Sequence, residues 1–408
     1  MKRAVWLGVV VLAGLAMFLS GCGGGGGGPA LTPTQAEQLV SSGFATMNGV
    51  TSGASADPAG DASKALNDFN TALPVLPNDP EANVGWAIAR AAKLWFDTGA
   101  VLPGLTRDRS AALIMDPRKI LGNLGGSYVS ASQSLGRVLV PPLPRLLGRQ
   151  AGGPTPEQVR LYLVMNVAPV LVQIIQHLDL ALAAPSIDVT ITVSVDGLAK
   201  QYKVDKGDVY LVKGCVSATL AVVYDAVPYS LEYGAWNWQQ VPVDKDGDGN
   251  LSPAEYLPPS PFLTLVIPTA FASAKAAMLA GADAVIAGAD TNLHPGGETD
   301  LVDWTIDPQV NSDLSTARTA AQDVKSALAT ARYPVTIDST TVNINLSAWA
   351  TAPPPDLKAL FPMVNVDPAM QQITIVSWPD LTFAGLLPDS LPTQLAQNLI
   401  LPWPWQTG

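Results

Sequence analysis

Apolar positions along this chain repeat with two periods, and the changes from one to the other outline its elements. Over residues 34–98 they recur every three or four positions. Ala65, Leu66, Phe69, Ala72 and Leu73 thereby share one face of a helix that Pro74 and Pro77 close. A helix over 35–47 is expected before it, across a Gly, Ser and Asp-rich stretch at 48–61, and another over 81–92 after it. Residues 157–184 are strongly apolar and predict a buried helix interrupted by Pro169. Helical spacing returns over 207–227, 262–288 and 312–331. Strict alternation, the period of a strand, marks 188–195 through Val189, Ile191, Val193 and Val195, and marks 335–346 again. Asp196 and Gly197 supply a turn toward a partner strand at 201–204. The tail alternates short apolar pieces with prolines and ends in Trp403, Pro404 and Trp405, which are expected to pack as a closing lid. The predicted class is mainly α with a minor β component, built of helical hairpins and a small β-hairpin.

Ala65, Phe69, Ala72 and Pro77 stand at the relative spacing of the second helix and trailing proline of a tetratricopeptide repeat. The segment 81–92, with Ala82, Gly85, Ala87 and Ala91, resembles the opening helix of a following unit. An ordinary helical hairpin explains the same residues, and both readings stand at this point. The region 138–156 is rich in proline and glycine and divides a tetratricopeptide-like region, 34–137, from a mixed helical region with short strands, 157–408.

The N-terminus has a different logic. Lys2 and Arg3 precede an uncharged apolar run from Ala4 to Phe18, too short for the ~20 residues a membrane-spanning helix needs. Small residues then lead to Leu19, Ser20, Gly21 and Cys22. This order resembles the signal and lipobox of bacterial lipoproteins, and the resemblance implies a cleaved signal peptide over 1–21 and acylation of Cys22. Six glycines, Gly23 to Gly28, follow within a linker at 22–33 and make a flexible leash. Gly23 is not the aspartate that retains some lipoproteins in the inner membrane, so the family analogy points to the outer membrane or cell surface.

A formal net charge of −11, which loss of Lys2 and Arg3 makes more negative still, repels phosphate backbones and argues against nucleic acid. Of the 2 cysteines one is the expected acylation site, so Cys215 has no intramolecular partner and is expected as a buried, inert thiol.

The strongest local signal lies at 244–255. Asp244, Asp246 and Asp248 offer carboxylates at positions 1, 3 and 5 of a twelve-residue loop, and Gly249 stands where the chain must turn sharply. Asn250 would give its backbone carbonyl, Ser252 a bridging water, and Glu255 both carboxylate oxygens. Leu251 is expected to face the core. The segment resembles the calcium loops of EF-hand and dockerin proteins, which implies Ca2+. Pro242 argues against a regular entering helix, and Pro258, Pro259 and Pro261 limit the exiting one. With no second such loop, the resemblance implies a structural brace rather than a cooperative switch, binding on the order of 10⁻⁴ to 10⁻³ M.

Asp290, His294, Glu298, Asp300 and Asp303 form a second polar cluster, read as a solvated loop because Pro295, Gly296 and Gly297 lie within it. His177, among Ile174, Ile175, Leu178 and Leu180, reads as a satisfied core residue. Motifs for metalloprotease, nucleophile-elbow hydrolase, P-loop or paired-cysteine chemistry are missing from the sequence. The expectation is a non-catalytic, membrane-tethered scaffold or interaction module of the cell envelope with a protein or peptide partner. A solute- or glycan-binding lipoprotein using Trp236, Trp238 or Trp304 is the alternative, and a carboxylate-pair hydrolase a more distant one.

Overall fold

The structure is a computed structural model and describes residues 31–101, 154–195, 198–236, 242–292, 308–330, 333–337, 340–367 and 372–387. Cys22 and its glycine leash, most of the 138–156 connection and the closing tryptophans lie outside these. The described chain is mainly helical with small antiparallel sheets.

Prolines start these helices rather than break them. Helices α1 (Pro33–Thr51), α2 (Pro58–Ala72), α3 (Pro80–Val101) and α4 (Pro156–Tyr162) each place proline first, behind Thr32, Asp57, Asp79 and Thr155. Proline suits the first helical position because its missing N–H has no intrahelical acceptor there. The preceding side-chain oxygen takes an amide of the first turn: Asp57 Oδ1 accepts from Gly60 N at 3.0 Å, and Asp79 Oδ1 from Ala82 N at 2.7 Å.

Phe69 on α2 is wholly buried between α1 and α3. Gly43 and Gly85 make room for its ring: a Cβ at those positions would stand 2.7 and 2.3 Å from it. Phe44 meets Phe69 edge to face, with ring centroids 5.3 Å apart.

Residues expected as one helix interrupted at Pro169 form α4, a π-helical turn (Leu163–Val167) and α5 (Ala168–Leu182). Pro169 removes an amide and crowds the carbonyl four residues back. The widened turn absorbs this, with Ala168 N–H bonding to Leu163 O.

Strands β1 (Val189–Val195) and β2 (Leu198–Val204) pair antiparallel, with Val189 opposite Val204. Thr192 N donates to Asn48 Oδ1 at 2.8 Å and Thr51 Oγ1 donates to Thr192 O, which docks the hairpin on the end of α1. One buried cluster draws on α1, α2, α3, α5, this hairpin and helix α6 (Lys206–Ala226).

Along the rest of the chain come α7 (Pro253–Tyr256), α8 (Ala270–Asn292) and α9 (Pro308–Thr330). Among the described residues each long helix packs chiefly on the next long one, so α1, α2, α3, α5, α6, α8 and α9 form a row. The α6–α8 contact is the most extensive, and glycines let it close: a Cβ on Gly214 would lie 2.5 Å from Val285, and one on Gly288 2.9 Å from Gly207 O.

Three expectations are corrected here. Residues 262–269 are not helical: Leu263 has φ 59°, and Leu263 N and Val266 N bond to Ser230 O and Pro228 O. Pro268 then sets the entry to α8. Residues 335–346 are not one strand but belong to a hairpin, β3 (Tyr333–Ile337) and β4 (Thr340–Ile344), after which α10 (Leu346–Thr351) begins. The tail holds a third hairpin, β5 (Met363–Asp367) and β6 (Gln372–Ser377), that the proline-punctuated pattern concealed.

Three helical stretches, Pro156–Leu182, Lys206–Ala226 and Ala270–Thr291, are long and apolar enough to cross a membrane by length and composition. That composition is compatible with membrane association. Three ion pairs tie these stretches to neighbouring helices: Lys213 with Asp179 at 2.5 Å, Asp283 with Lys325 at 2.5 Å and Asp290 with Arg318 at 2.6 Å.

Asp225, near the end of α6, has its carboxyl pushed up to about 7 by burial. The folded protein keeps this proton to higher pH than the unfolded chain, so the group costs stability progressively from about pH 4 to about pH 7. Asp225→Asn is expected to raise the Tm at pH 8 and leave it nearly unchanged at pH 4. Thermal unfolding of the variant and parent at the two pH values checks this, and an equal shift at both would contradict it.

Candidate metal centre

Residues 242–252 run as an irregular loop, and α7 follows as a single turn. Two features of the sequence shape it. Gly247 and Gly249 take φ 76° and 85°, left-handed conformations that a side chain disfavours, and these fold the loop back on itself. Ser252 and Pro253 start α7 by the rule that starts the long helices, with Ser252 N and Oγ each donating to Glu255 Oε2 at 2.8 Å.

The folded loop brings one carboxylate oxygen from each of Asp244, Asp246 and Glu255 within 4.8 Å of one another. Asp244 accepts from Gly247 N at 2.6 Å and Gly249 N at 2.8 Å, and Glu255 Oε1 accepts from Lys245 N at 2.7 Å. Asp248 does not join the group of three; its Oδ1 accepts from Asn250 N at 2.8 Å. Ser252 is committed to Glu255 through its amide and its hydroxyl.

Electrostatics sharpen the contrast between these carboxylates. The Gly249 and Gly247 amides hold Asp244 below the usual carboxylate range. The Lys245 amide, with the Ser252 amide and hydroxyl, does the same for Glu255. At Asp246 the Asp248 amide favours the charged form, but desolvation and the carboxylates of Asp244, Asp248 and Glu255 outweigh it and raise its pKa. Asp246 therefore carries the repulsion of the cluster, which a divalent cation would relieve.

The donor set is all oxygen and rich in carboxylate, which fits a hard cation such as Ca2+ and offers no nitrogen or sulfur to softer metals. Asp244, Asp246 and Glu255 would hold the ion, with Asp248 and the Asn250 carbonyl beside them.

Leu251 roots the loop in the fold. It is buried with Tyr256, Leu257, Phe262, Leu263 and Val364 in a separate small core. Its backbone bridges to Val364 on β5, and Tyr256 Oη donates to Pro362 O at 2.6 Å. Sequence reasoning placed Leu251 toward a core but could not identify the partner strand, which is more than a hundred residues downstream.

Elsewhere, His177 donates from Nδ1 to Asn83 Oδ1 at 2.7 Å, since the Asn83 amide group is spent on Pro77 O and Asp79 O. Its ring stacks on Trp86 at 3.9 Å, and burial lowers its pKa, which describes a neutral structural imidazole. Burial pushes the Cys215 thiol up to about 12, far from thiolate reactivity. One polar contact left no motif in the sequence: Lys275 Nζ donates to Ser347 Oγ at 2.9 Å. Ser347 Oγ in turn donates to Leu328 O at 3.0 Å. With the hydroxyl proton on a carbonyl, this lysine is a tie between α8 and α10 rather than a base for a serine nucleophile.

Asp290 pairs with Arg318, while His294, Glu298, Asp300, Asp303, Trp238 and Trp304 lie outside the described residues. Trp236 is half-buried, its amide donating to Tyr233 O at 3.1 Å. Comparison with protein-family models, with curated proteins and with solved structures finds no match for this chain.

Proposed function

We propose that this protein is an exported lipoprotein, held at the cell envelope through an acylated Cys22, whose helical body is a non-catalytic scaffold or protein-interaction module braced by one Ca2+ at residues 244–255. The observation that carries the calcium part is the convergence of Asp244, Asp246 and Glu255 on a loop whose two left-handed glycines and terminal glutamate stand where a calcium loop needs them. The anchor rests on the signal and the Leu19–Cys22 sequence. The ion pairs on the three apolar helices support packing within the protein, leaving the lipid as the membrane attachment. The scaffold reading is supported by the row of described long helices, each packed on the next, which presents a continuous helical surface.

Calorimetric titration of the chain lacking residues 1–28 with calcium is expected to show one ion bound, with a dissociation constant on the order of 10⁻⁴ to 10⁻³ M. Glu255→Gln removes a bidentate ligand and is expected to abolish the signal. Absence of binding by the unmodified chain would overturn the brace.

A further inference from the structure

Resting on the calcium reading above, we propose that the ion latches the C-terminal hairpin, β5 with β6, onto the helical body, and that β5 in return positions one of the calcium ligands.

Leu251 N–H donates to Val364 O at 2.6 Å, so this N–H points at β5. A trans peptide holds its N–H and C=O on opposite sides. The Asn250 carbonyl, which shares the peptide plane of that N–H, therefore points away from β5. This is the backbone carbonyl that a calcium loop uses as a ligand. Two further bonds clamp the same stretch from the β5 side: Val364 N donates to Leu251 O at 3.0 Å, and Asn365 Nδ2 donates to Gly249 O at 2.6 Å. Every described bond from β5 to the loop falls within residues 249–251, the part that would present Asn250.

Positioning works in both directions. If β5 fixes the carbonyl that binds the ion, the ion must favour the state in which β5 is docked, by the same free energy. The apolar seam that docking closes is small, with Leu251, Tyr256, Leu257, Phe262, Leu263 and Val364 as its buried members. It is separate from the large core beneath α1 to α6. A small seam opens more readily than a large one, so the hairpin is the part of the fold whose population a single ion can govern.

Hydrogen exchange on the full-length chain in detergent, with calcium alone as the probe, tests this residue by residue. At free calcium about ten times the dissociation constant, opening of the unit becomes about tenfold rarer. The Leu251 and Val364 amides are expected to exchange about tenfold more slowly than in chelator, with amides of α1 to α3 unchanged. Asn365→Ala, which leaves all carboxylates in place, is expected to weaken calcium binding several-fold while keeping one ion per chain.

If exchange slows at 244–251 but not at Val364, and Asn365→Ala binds calcium as the parent does, the latch is wrong although the ion binds. If no exchange rate changes and titration shows no ion, the calcium reading itself has failed. These two failures are distinguished by the titration alone.

Discussion

Phe69→Ala is expected to cost about 3–5 kcal/mol of folding stability, the largest effect of any single truncation in the N-terminal helices. Phe69 is wholly buried and is the one side chain that touches both flanking helices at glycine. Removing the ring leaves a hole that Gly43 and Gly85 cannot fill, because neither has a side chain to relax into it. The same geometry predicts a non-additive pair. Gly85→Ala alone sets a methyl about where the ring stands, 2.3 Å from its nearest atoms, and is expected to cost about 1–3 kcal/mol by overpacking. In the Phe69→Ala background the nearest remaining atom is Phe44 Cζ at 3.0 Å, so the second cost is expected to fall well below that of the single variant. Urea unfolding of the parent, both single variants and the double variant measures the coupling. Additive costs would show that the ring and the glycine do not share a contact.

This packing explains how much of the fold the sequence discloses. Ala65, Phe69 and Ala72 were legible as a buried face because helical periodicity is a local property, readable wherever one side of a helix is covered. The starts of the helices were less legible, since 35 prolines suggest interruption until Pro33, Pro58, Pro80, Pro156 and Pro253 are seen to open helices behind Thr, Asp or Ser. Residues 262–269 misled for a further reason. Their apolar side chains fit helical spacing, but their backbone bonds go to residues 228–230 and 355, partners that no local pattern encodes. Hairpin β5–β6 stayed hidden because two short strands flanking Pro368 look like the rest of a proline-rich tail.

The candidate metal centre divides along the same line. Its carboxylates, both glycines and Ser252 lie within twelve consecutive residues, so the convergence of Asp244, Asp246 and Glu255 was legible in the spacing, while Asp248, read from the same spacing, stays outside the group. The anchor of the loop was not legible: Val364, Asn365 and Pro362 are distant in sequence, and they hold the loop through backbone atoms, one amide side chain and the buried Val364 side chain. Such contacts carry no residue signature, because any strand can supply a carbonyl.

Calcium is expected to stabilise the folded protein by about 2.7 kcal/mol when its free concentration is a hundred times the dissociation constant, and chelation to remove that increment entirely. Two substitutions separate the ion from the loop's own bonds. Glu255 accepts from Lys245 N and from Ser252, bonds that exist without metal, so Glu255→Gln is expected to lower stability in chelator and also to lose the calcium increment. Asp246 is the carboxylate on which the neighbouring charges press, as its raised pKa records. Asp246→Asn relieves that pressure, so the variant is expected to be as stable as the parent in chelator, or more so, and still to gain little from calcium. Thermal unfolding of the three proteins in chelator and in excess calcium distinguishes them. A parent whose Tm is the same in both conditions would leave the loop held by its hydrogen bonds alone. A calcium increment retained in Asp246→Asn would move the ion away from the three carboxylates that the fold brings together.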